Sequence, residues 1–322
     1  MSRLKLFSLD VGADFVGRVA ASLGEPVSRH EERQFDDGEH KVRPLDDVEG
    51  ADVFLVQSLY GDAISCVDQK IMRSLFFIGA VRDAGAARVT AVIPYLCYAR
   101  KERRSHLRDP VPSRYLATFL EAAGVDVVVT MDVHCLSAFE NGFRCRTVHL
   151  LSRSLFIEAA RVRLCGDAGP LIVLSPDEGG IKRAEKFRLA LSDELGVPVA
   201  SAFVEKYRSG TLLSGGTLVG EVKDAAVLIV DDLLATGATI CRAVQAVTAG
   251  GARRVLVFCA HGQFSRDAHH NMANLPVESV TVTNSLPQIQ TSGHVEWVDC
   301  APLIADCIRR IHDNGPVTEL TI

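Results

Sequence analysis

Short apolar runs rich in β-branched residues alternate along the chain with longer segments of helical period. Residues 52–57, 88–94, 126–132, 171–175, 226–231 and 253–260 read as strands, and their near-continuous apolar character predicts burial on both faces. Between them, residues 66–85, 113–123, 179–195 and 236–250 have the length and period of helices, and 301–312 reads as one more. Strands alternating with helices imply βαβ units. The expected class is therefore α/β, with mostly parallel sheets flanked by helices.

An internal echo suggests that this plan occurs twice. Residues 85–89 and 251–255 both read Gly-Ala-x-Arg-Val, placing Gly where a helix stops and Val where a buried strand begins. Two similar domains are expected, over 1–146 and 147–322, joined near 143–151, with a closing helix at 301–314 that can pack on either one. A length of 322 residues suits two domains of ordinary size.

Composition narrows the function classes. Hydrophobic residues make up 48% and charged residues 23%, which excludes a disordered or fibrous chain. The 35 basic residues against 40 acidic ones give a net charge of −5, without the overall footprint of a nucleic-acid binder. Apolar runs such as 225–230 have strand length, well short of the ~18 residues that span a bilayer. No nucleic-acid or membrane partner is expected. The nine cysteines are scattered, odd in number and without a CxxC pair, which points to free, mostly buried thiols in the cytoplasm rather than to disulfides or zinc.

The most informative stretch is 227–239, VLIVDDLLATGAT, in which a hydrophobic strand runs into Asp231 and Asp232 and then a Thr-Gly-x-Thr loop opens a helix. Ligands of parallel sheets bind beyond the carboxyl ends of strands, and a helix amino terminus with hydroxyls nearby suits phosphate. Paired carboxylates suit sugar hydroxyls or Mg²⁺ at the other end of such a ligand. A 5-phosphorylated ribose has both features, whereas capping alone needs fewer acids. The cations Arg100, Lys101, Arg103, Arg104 and Arg108 follow another strand end, an arrangement suited to polyphosphate. Asp132 and His134 end the 126–132 strand, where simple alternation would point them to one side. Asp177 ends the 171–175 strand just before Gly179 and Gly180. Lys206 and Arg208 alternate at the end of an apolar strand over 198–204; such cations are commonly only solvent-exposed, yet they could also neutralise a transferring phosphoryl group. Phe35, Asp37 and Glu39 read equally as a polar turn or as an aromatic face with acceptors for a purine. No GxxxxGK[ST] loop is present, so a P-loop kinase is excluded.

The 227–239 stretch resembles the phosphoribosyl-binding loop of the phosphoribosyltransferases. Further segments narrow the resemblance to the ribose-phosphate diphosphokinase (phosphoribosyl diphosphate synthetase) family: FDDGE at 35–39, PYLCYAR at 94–100, TMDVH at 130–134, SPDEGG at 175–180 and TNSLP at 283–287, all in the family's order. The resemblance implies Mg²⁺-dependent transfer of the β,γ-diphosphoryl group of ATP to the C1 hydroxyl of ribose 5-phosphate. It implies that Phe35, Asp37, Glu39, Arg100, Lys101, Glu102 and His134 bind ATP. Ribose 5-phosphate would be bound by Asp231, Asp232, Ala235, Thr236, Gly237, Ala238 and Thr239. Asp132, His134 and Asp177 would hold Mg²⁺, and Lys206, Arg208 and His134 would be catalytic. It also implies self-association to a dimer or hexamer, with the 35–39 loop reaching a neighbouring subunit's nucleotide. Lys101-Glu102 stand where the family usually has Gln-Asp, Ala235 where it has Asp, Ala238 and Cys97 where it has Gly, Val67 where it has Asn, and Ala260 where it has Thr. A non-catalytic regulatory homologue and a phosphoribosyltransferase are the other readings; retention of Lys206, Arg208 and the acid pair speaks against the first, and the two-domain length against the second.

Overall fold

The computed structural model describes residues 3–9, 13–209, 212–272, 274–289 and 294–321. The chain divides into two compact units, one of residues 1–151, 285–287 and 300–322, the other of 152–284 and 288–299.

The first unit begins with β1 (Leu4–Phe7), α1 (Ala13–Leu23) and a hairpin of β2 (His30–Gln34) and β3 (His40–Pro44). It continues through β4 (Asp52–Val56), α2 (Val67–Asp83), β5 (Arg88–Ile93), α3 (Pro112–Ala123), β6 (Val127–Met131), α4 (Leu136–Gly142) and β7 (Arg146–Leu150). Five of these strands form a parallel sheet in the order β1-β4-β5-β6-β7, with β7 at one edge. One face of the sheet, including Val53, Leu55, Val89 and Ala91, packs on Phe77, Ile78 and Val81 of α2 and on Leu116 and Leu120 of α3.

The second unit comprises α5 (Arg153–Arg163), β8 (Leu171–Ser175), α6 (Ile181–Leu195), β9 (Val199–Ser209), β10 (Leu212–Val219), β11 (Ala226–Leu234) and α7 (Ala238–Ala249). It ends with β12 (Arg254–Gly262), α8 (Arg266–Met272), β13 (Ser279–Thr283) and β14 (Val295–Val298). Its sheet order is β10-β9-β8-β11-β12-β13-β14, parallel except for the antiparallel β9–β10 pair. The central strand β11 shows why its sequence is apolar throughout. Val227 and Ile229 enter a core with Ile240, Val244 and Val247 of α7, while Leu228 and Val230 enter a core with Phe156 and Phe187 on the other side.

Helix α9 (Ala301–His312) belongs to the first unit and packs along α1. Its seat is a polar anchor at the start of two central strands. Asp52, almost fully buried, accepts from Arg88 Nε at 2.8 Å and Nη2 at 2.6 Å, and lies 2.8 Å from Nδ1 of His312. Arg88 also donates to the Ile311 carbonyl at 2.7 Å, so the helix end and the sheet share one guanidinium.

Several local readings need correction. Strand β11 does not stop at Asp231, because Leu233 and Leu234 keep pairing with His261 and Gly262. Strand β9 extends through Ser209 rather than ending near 204, since β10 pairs along it. Of the cysteines, Cys97, Cys259, Cys300 and Cys307 are buried, but Cys66 and Cys165 are exposed.

Candidate active site

In the second unit, the strand order makes β9, β8 and β11 neighbours, so their carboxyl ends deliver functional groups to one edge. Asp231 and Asp232 lie on β11 with their side chains largely buried. The Asp232 amide donates to Asp231 Oδ1 at 2.9 Å. Facing both is Arg183, in the first turn of α6, with Nη1 3.4 Å from Asp231 Oδ1 and 3.1 Å from Asp232 Oδ1. Burial, then the adjacent Asp232 charge, pushes the Asp231 carboxyl well above its ordinary value, and the Arg183 guanidinium opposes that rise. The strand end is thus a crowded anionic site into which Arg183 brings a cation. Arg183 was not singled out from sequence; nothing along the chain joins position 183 to position 231 until α6 is laid beside β11.

Beyond the acids, Ala235, Thr236 and Gly237 lead into α7, whose first residues are Ala238 and Thr239. The helix therefore begins two residues later than its pattern suggests. Gly237 has φ of 76°, and a Cβ there would approach Met272 Cγ to 3.2 Å, so glycine suits both the left-handed turn and the close packing. Thr236 Oγ1 accepts from the Ala238 amide at 3.3 Å, and Asn271 Nδ2 donates to the Thr236 carbonyl at 2.8 Å. The loop is held from its outer side while the amino terminus of the 12-residue helix α7 supplies amides and a positive dipole end.

Asp177 follows β8. Its Oδ1 accepts from the Gly180 amide at 3.2 Å, and its carbonyl accepts from Ser175 Oγ at 2.6 Å. A Cβ at Gly180 would lie 2.7 Å from Ser175 Oγ, which explains the small residue at this turn. Lys206 and Arg208 lie on β9 opposite Gly216 and Leu213 of β10, where the register shifts; their side chains lie outside the described residues.

In the first unit, β5 and β6 are adjacent and their carboxyl ends release two loops. The loop after β5 carries Arg100 and Lys101, both exposed, and Glu102, whose carboxylate lies 3.6 Å from Arg103 Nε. Its start is pinned: Tyr98, at φ 57°, donates its hydroxyl to Asp68 Oδ1 at 2.6 Å, and the Lys101 amide donates to the Tyr98 carbonyl at 3.0 Å. Its far end is closed by Asp109, which accepts from the amides of Ser105 at 3.1 Å and His106 at 2.8 Å. After β6, strand alternation does not continue to His134. The strand ends at Met131, Asp132 turns to φ 42° and is buried, and His134 is exposed. Phe35, Asp37 and Glu39 are exposed at the tip of the β2–β3 hairpin. There the Phe35 amide donates to the Glu39 carbonyl at 2.8 Å, and Arg33 stacks 4.9 Å from the Phe35 ring centre.

Among the described residues, no three His, Cys, Asp or Glu side chains converge as a cage for a metal ion. Such a cage is not what Mg²⁺ needs, since it commonly binds through one or two carboxylates together with substrate phosphates. Asp132 and Asp177, each just beyond a strand's carboxyl end, supply single carboxylates of the kind that mode calls for.

Residues 4–124 match a family described as the N-terminal domain of ribose phosphate pyrophosphokinase, and residues 204–321 match the phosphoribosyl synthetase-associated domain. The ribose-phosphate pyrophosphokinase of Clostridium perfringens is 33% identical over 320 residues, covering 98% of this chain and 97% of its own length. Ribose-phosphate pyrophosphokinase 1 of Streptococcus agalactiae is 33% identical over 325 residues, covering 99% and 97%. The crystal structure of phosphoribosylpyrophosphate synthetase from Mycobacterium smegmatis superposes with a TM-score of 0.88 at 31% identity, over 98% of this chain and all of that one.

Proposed function

This chain belongs to the ribose-phosphate pyrophosphokinase family, and from that membership we propose that it transfers the β,γ-diphosphoryl group of ATP to the C1 hydroxyl of ribose 5-phosphate. The ribose oxygen attacks the β-phosphorus, the bond from that phosphorus to the oxygen bridging it to the α-phosphorus breaks, and AMP leaves. The hydroxyl proton passes to solvent, and the product is 5-phosphoribosyl 1-diphosphate. The observation that supports this reading is the buried Asp231–Asp232 pair near the end of β11, followed after residues 233–235 by a Thr-Gly-x-Thr loop at the start of α7.

Thr236, Gly237, Ala238 and Thr239 take the 5-phosphate through amides and hydroxyls, with Ala235 as the loop's entry, and Asp231 and Asp232 accept from ribose hydroxyls. ATP is taken by Arg100, Lys101 and Glu102, with Phe35, Asp37 and Glu39 on the base. Mg²⁺ would be held by Asp132 and His134 with the nucleotide and by Asp177 near the ribose, where it supplies charge neutralisation on phosphate oxygens. Lys206 and Arg208 act on the charge that grows on the transferring group. The working form is a dimer or hexamer in the cytoplasm, the loop of one copy serving the nucleotide of the next. Among the described residues no helix is long and apolar enough to cross a membrane.

The test incubates the protein with ATP, Mg²⁺ and ribose 5-phosphate and follows AMP and phosphoribosyl diphosphate together. Equal formation of both is expected, with Lys206→Ala lowering kcat by about 10²–10³-fold and leaving the KM for ATP nearly unchanged. ATP hydrolysis without phosphoribosyl diphosphate, or no turnover despite ribose 5-phosphate binding, would overturn the proposal.

A further inference from the structure

The hairpin that presents Phe35, Asp37 and Glu39 packs on α2 through an unusual surface. In the β2–β3 register, Glu32 faces Val42 and Gln34 faces His40, so His30, Glu32, His40 and Val42 share one face. Val42 is apolar and belongs to the core, as expected for a strand laid on a helix. The other three are titratable, and all are largely buried: their side chains retain 22%, 15% and 12% of their exposure. Glu32 Oε1 lies 3.2 Å from His30 Nε2 and Glu32 Oε2 lies 3.1 Å from His40 Nε2. Arg73 of α2, equally buried, places Nη1 3.8 Å from the same Oε2. The His30 ring meets Phe77 of α2 edge-on at 6.1 Å.

Burial alone would raise the Glu32 carboxyl; the hydrogen bond with His30 and the pull of His30, His40 and Arg73 hold it below its ordinary value. The carboxylate is therefore an ionised hub joining both strands of the hairpin to the helix. His40 is the residue that follows the loop, opposite Gln34, which precedes it. Its two ring nitrogens are buried, and among the described residues neither makes an aligned hydrogen bond, yet Nε2 lies 3.1 Å from Glu32 Oε2, so a small rotation of either side chain makes or breaks that polar contact. A two-stranded hairpin is marginal by itself and takes its placement from what it packs against.

We propose that His40, with Glu32, His30 and Arg73 behind it, is a positioning set that fixes the 35–39 loop for nucleotide binding. None of the four touches the nucleotide in this scheme; they act through the loop. The inference rests on the reading of that loop as an ATP contact, and its test separates the two claims.

In the full-length protein, amide hydrogen exchange is followed across residues 35–39 without ligand, and KM for ATP, KM for ribose 5-phosphate and kcat are measured with Mg²⁺. The variants are His40→Ala, His40→Gln and Phe35→Ala. Losing one polar contact predicts, for His40→Ala, exchange about fivefold faster at 35–39 and a KM for ATP raised about fivefold, while the KM for ribose 5-phosphate and kcat stay within about twofold. His40→Gln, which keeps a donor toward Glu32, recovers most of both effects. Unchanged exchange at 35–39 in His40→Ala overturns the positioning role, as does faster exchange spread equally over α2 and the parallel sheet, which would mark plain destabilisation. An unchanged KM for ATP in Phe35→Ala overturns the nucleotide reading, and the exchange comparison then still decides whether His40 orders the loop.

Discussion

Replacing Arg183 by alanine removes the cation that, among the described residues, pairs with both Asp231 and Asp232, and leaves two adjoining carboxylates on a buried strand end. Without the guanidinium that opposes the rise of Asp231, the pair is expected to hold a proton more tightly than in the wild type. Holding a carboxyl with an ordinary value of 3.8 protonated at pH 7 costs about 4 kcal/mol, at roughly 1.4 kcal/mol per pH unit. That figure is a ceiling, and it falls in the range of about 3–5 kcal/mol expected for removing one partner of a buried ion pair. At pH 5 the same proton costs only about 1.5 kcal/mol. The sign follows from the raised folded value of Asp231. The folded state binds more protons than the unfolded one, so stability is gained as pH falls from that raised value toward 3.8 and is lost as pH rises through the same window. Arg183→Ala deepens this slope. Urea unfolding followed by the fluorescence of Trp297, the only tryptophan and part of β14 in the same unit, measures it directly. A loss of about 3–4 kcal/mol at pH 7 that shrinks below about 2 kcal/mol at pH 5 is expected. Equal losses at both pH values, or less than about 1 kcal/mol at pH 7, would refute the electrostatic account.

Two further outcomes follow from contacts outside that pair. The hydrogen bond to Asp68 pushes the Tyr98 phenol up to about 12; an ultraviolet titration should show a late-ionising tyrosine that disappears in Tyr98→Phe and returns to the ordinary range in Asp68→Asn. A titration unaltered by either change would discard the latch at the start of the Arg-rich loop. Asp52→Ala leaves Arg88 without its carboxylate, and a loss of about 3–5 kcal/mol is expected in thermal or urea unfolding. Proteolysis should then cut first within α9; cleavage that begins elsewhere would show that the helix has another anchor.

The layered fold is legible because burial on both faces writes itself into composition. Residues 171–175 are strand β8 without change of boundary, and 301–312 are α9 likewise, since both are bounded by unmistakable changes of pattern. The hairpin β2–β3 leaves no such trace: HEERQ and HKVRP carry charges on both faces, and the pairing is held by contacts with α2 that lie far off in sequence. Strand β11 outruns its apolar stretch because its ladder with β12, not its own hydrophobicity, carries it past two aspartates. The same limit applies to the site. Glycines, threonines and paired acids near position 231 announce a phosphate-and-sugar loop by their types alone. Arg183 and Asn271 complete it through tertiary packing, and Asp132 escapes the alternation rule because a positive φ follows the strand's last residue.

The place of α9 has a consequence for how the protein is made. Residues 301–312 leave the ribosome only after every residue of the second unit has been synthesised, yet they close the core of the first. The unit begun earliest is therefore finished latest. While the second unit is emerging, the face of α1 that α9 covers, together with Asp52 and Arg88 at the sheet's lower rim, waits without its helix. That interval is when the nascent first unit is most exposed to aggregation or to capture by a chaperone. A chain stopped anywhere between 287 and 300 would lose little of the second unit's sequence and still cripple the first.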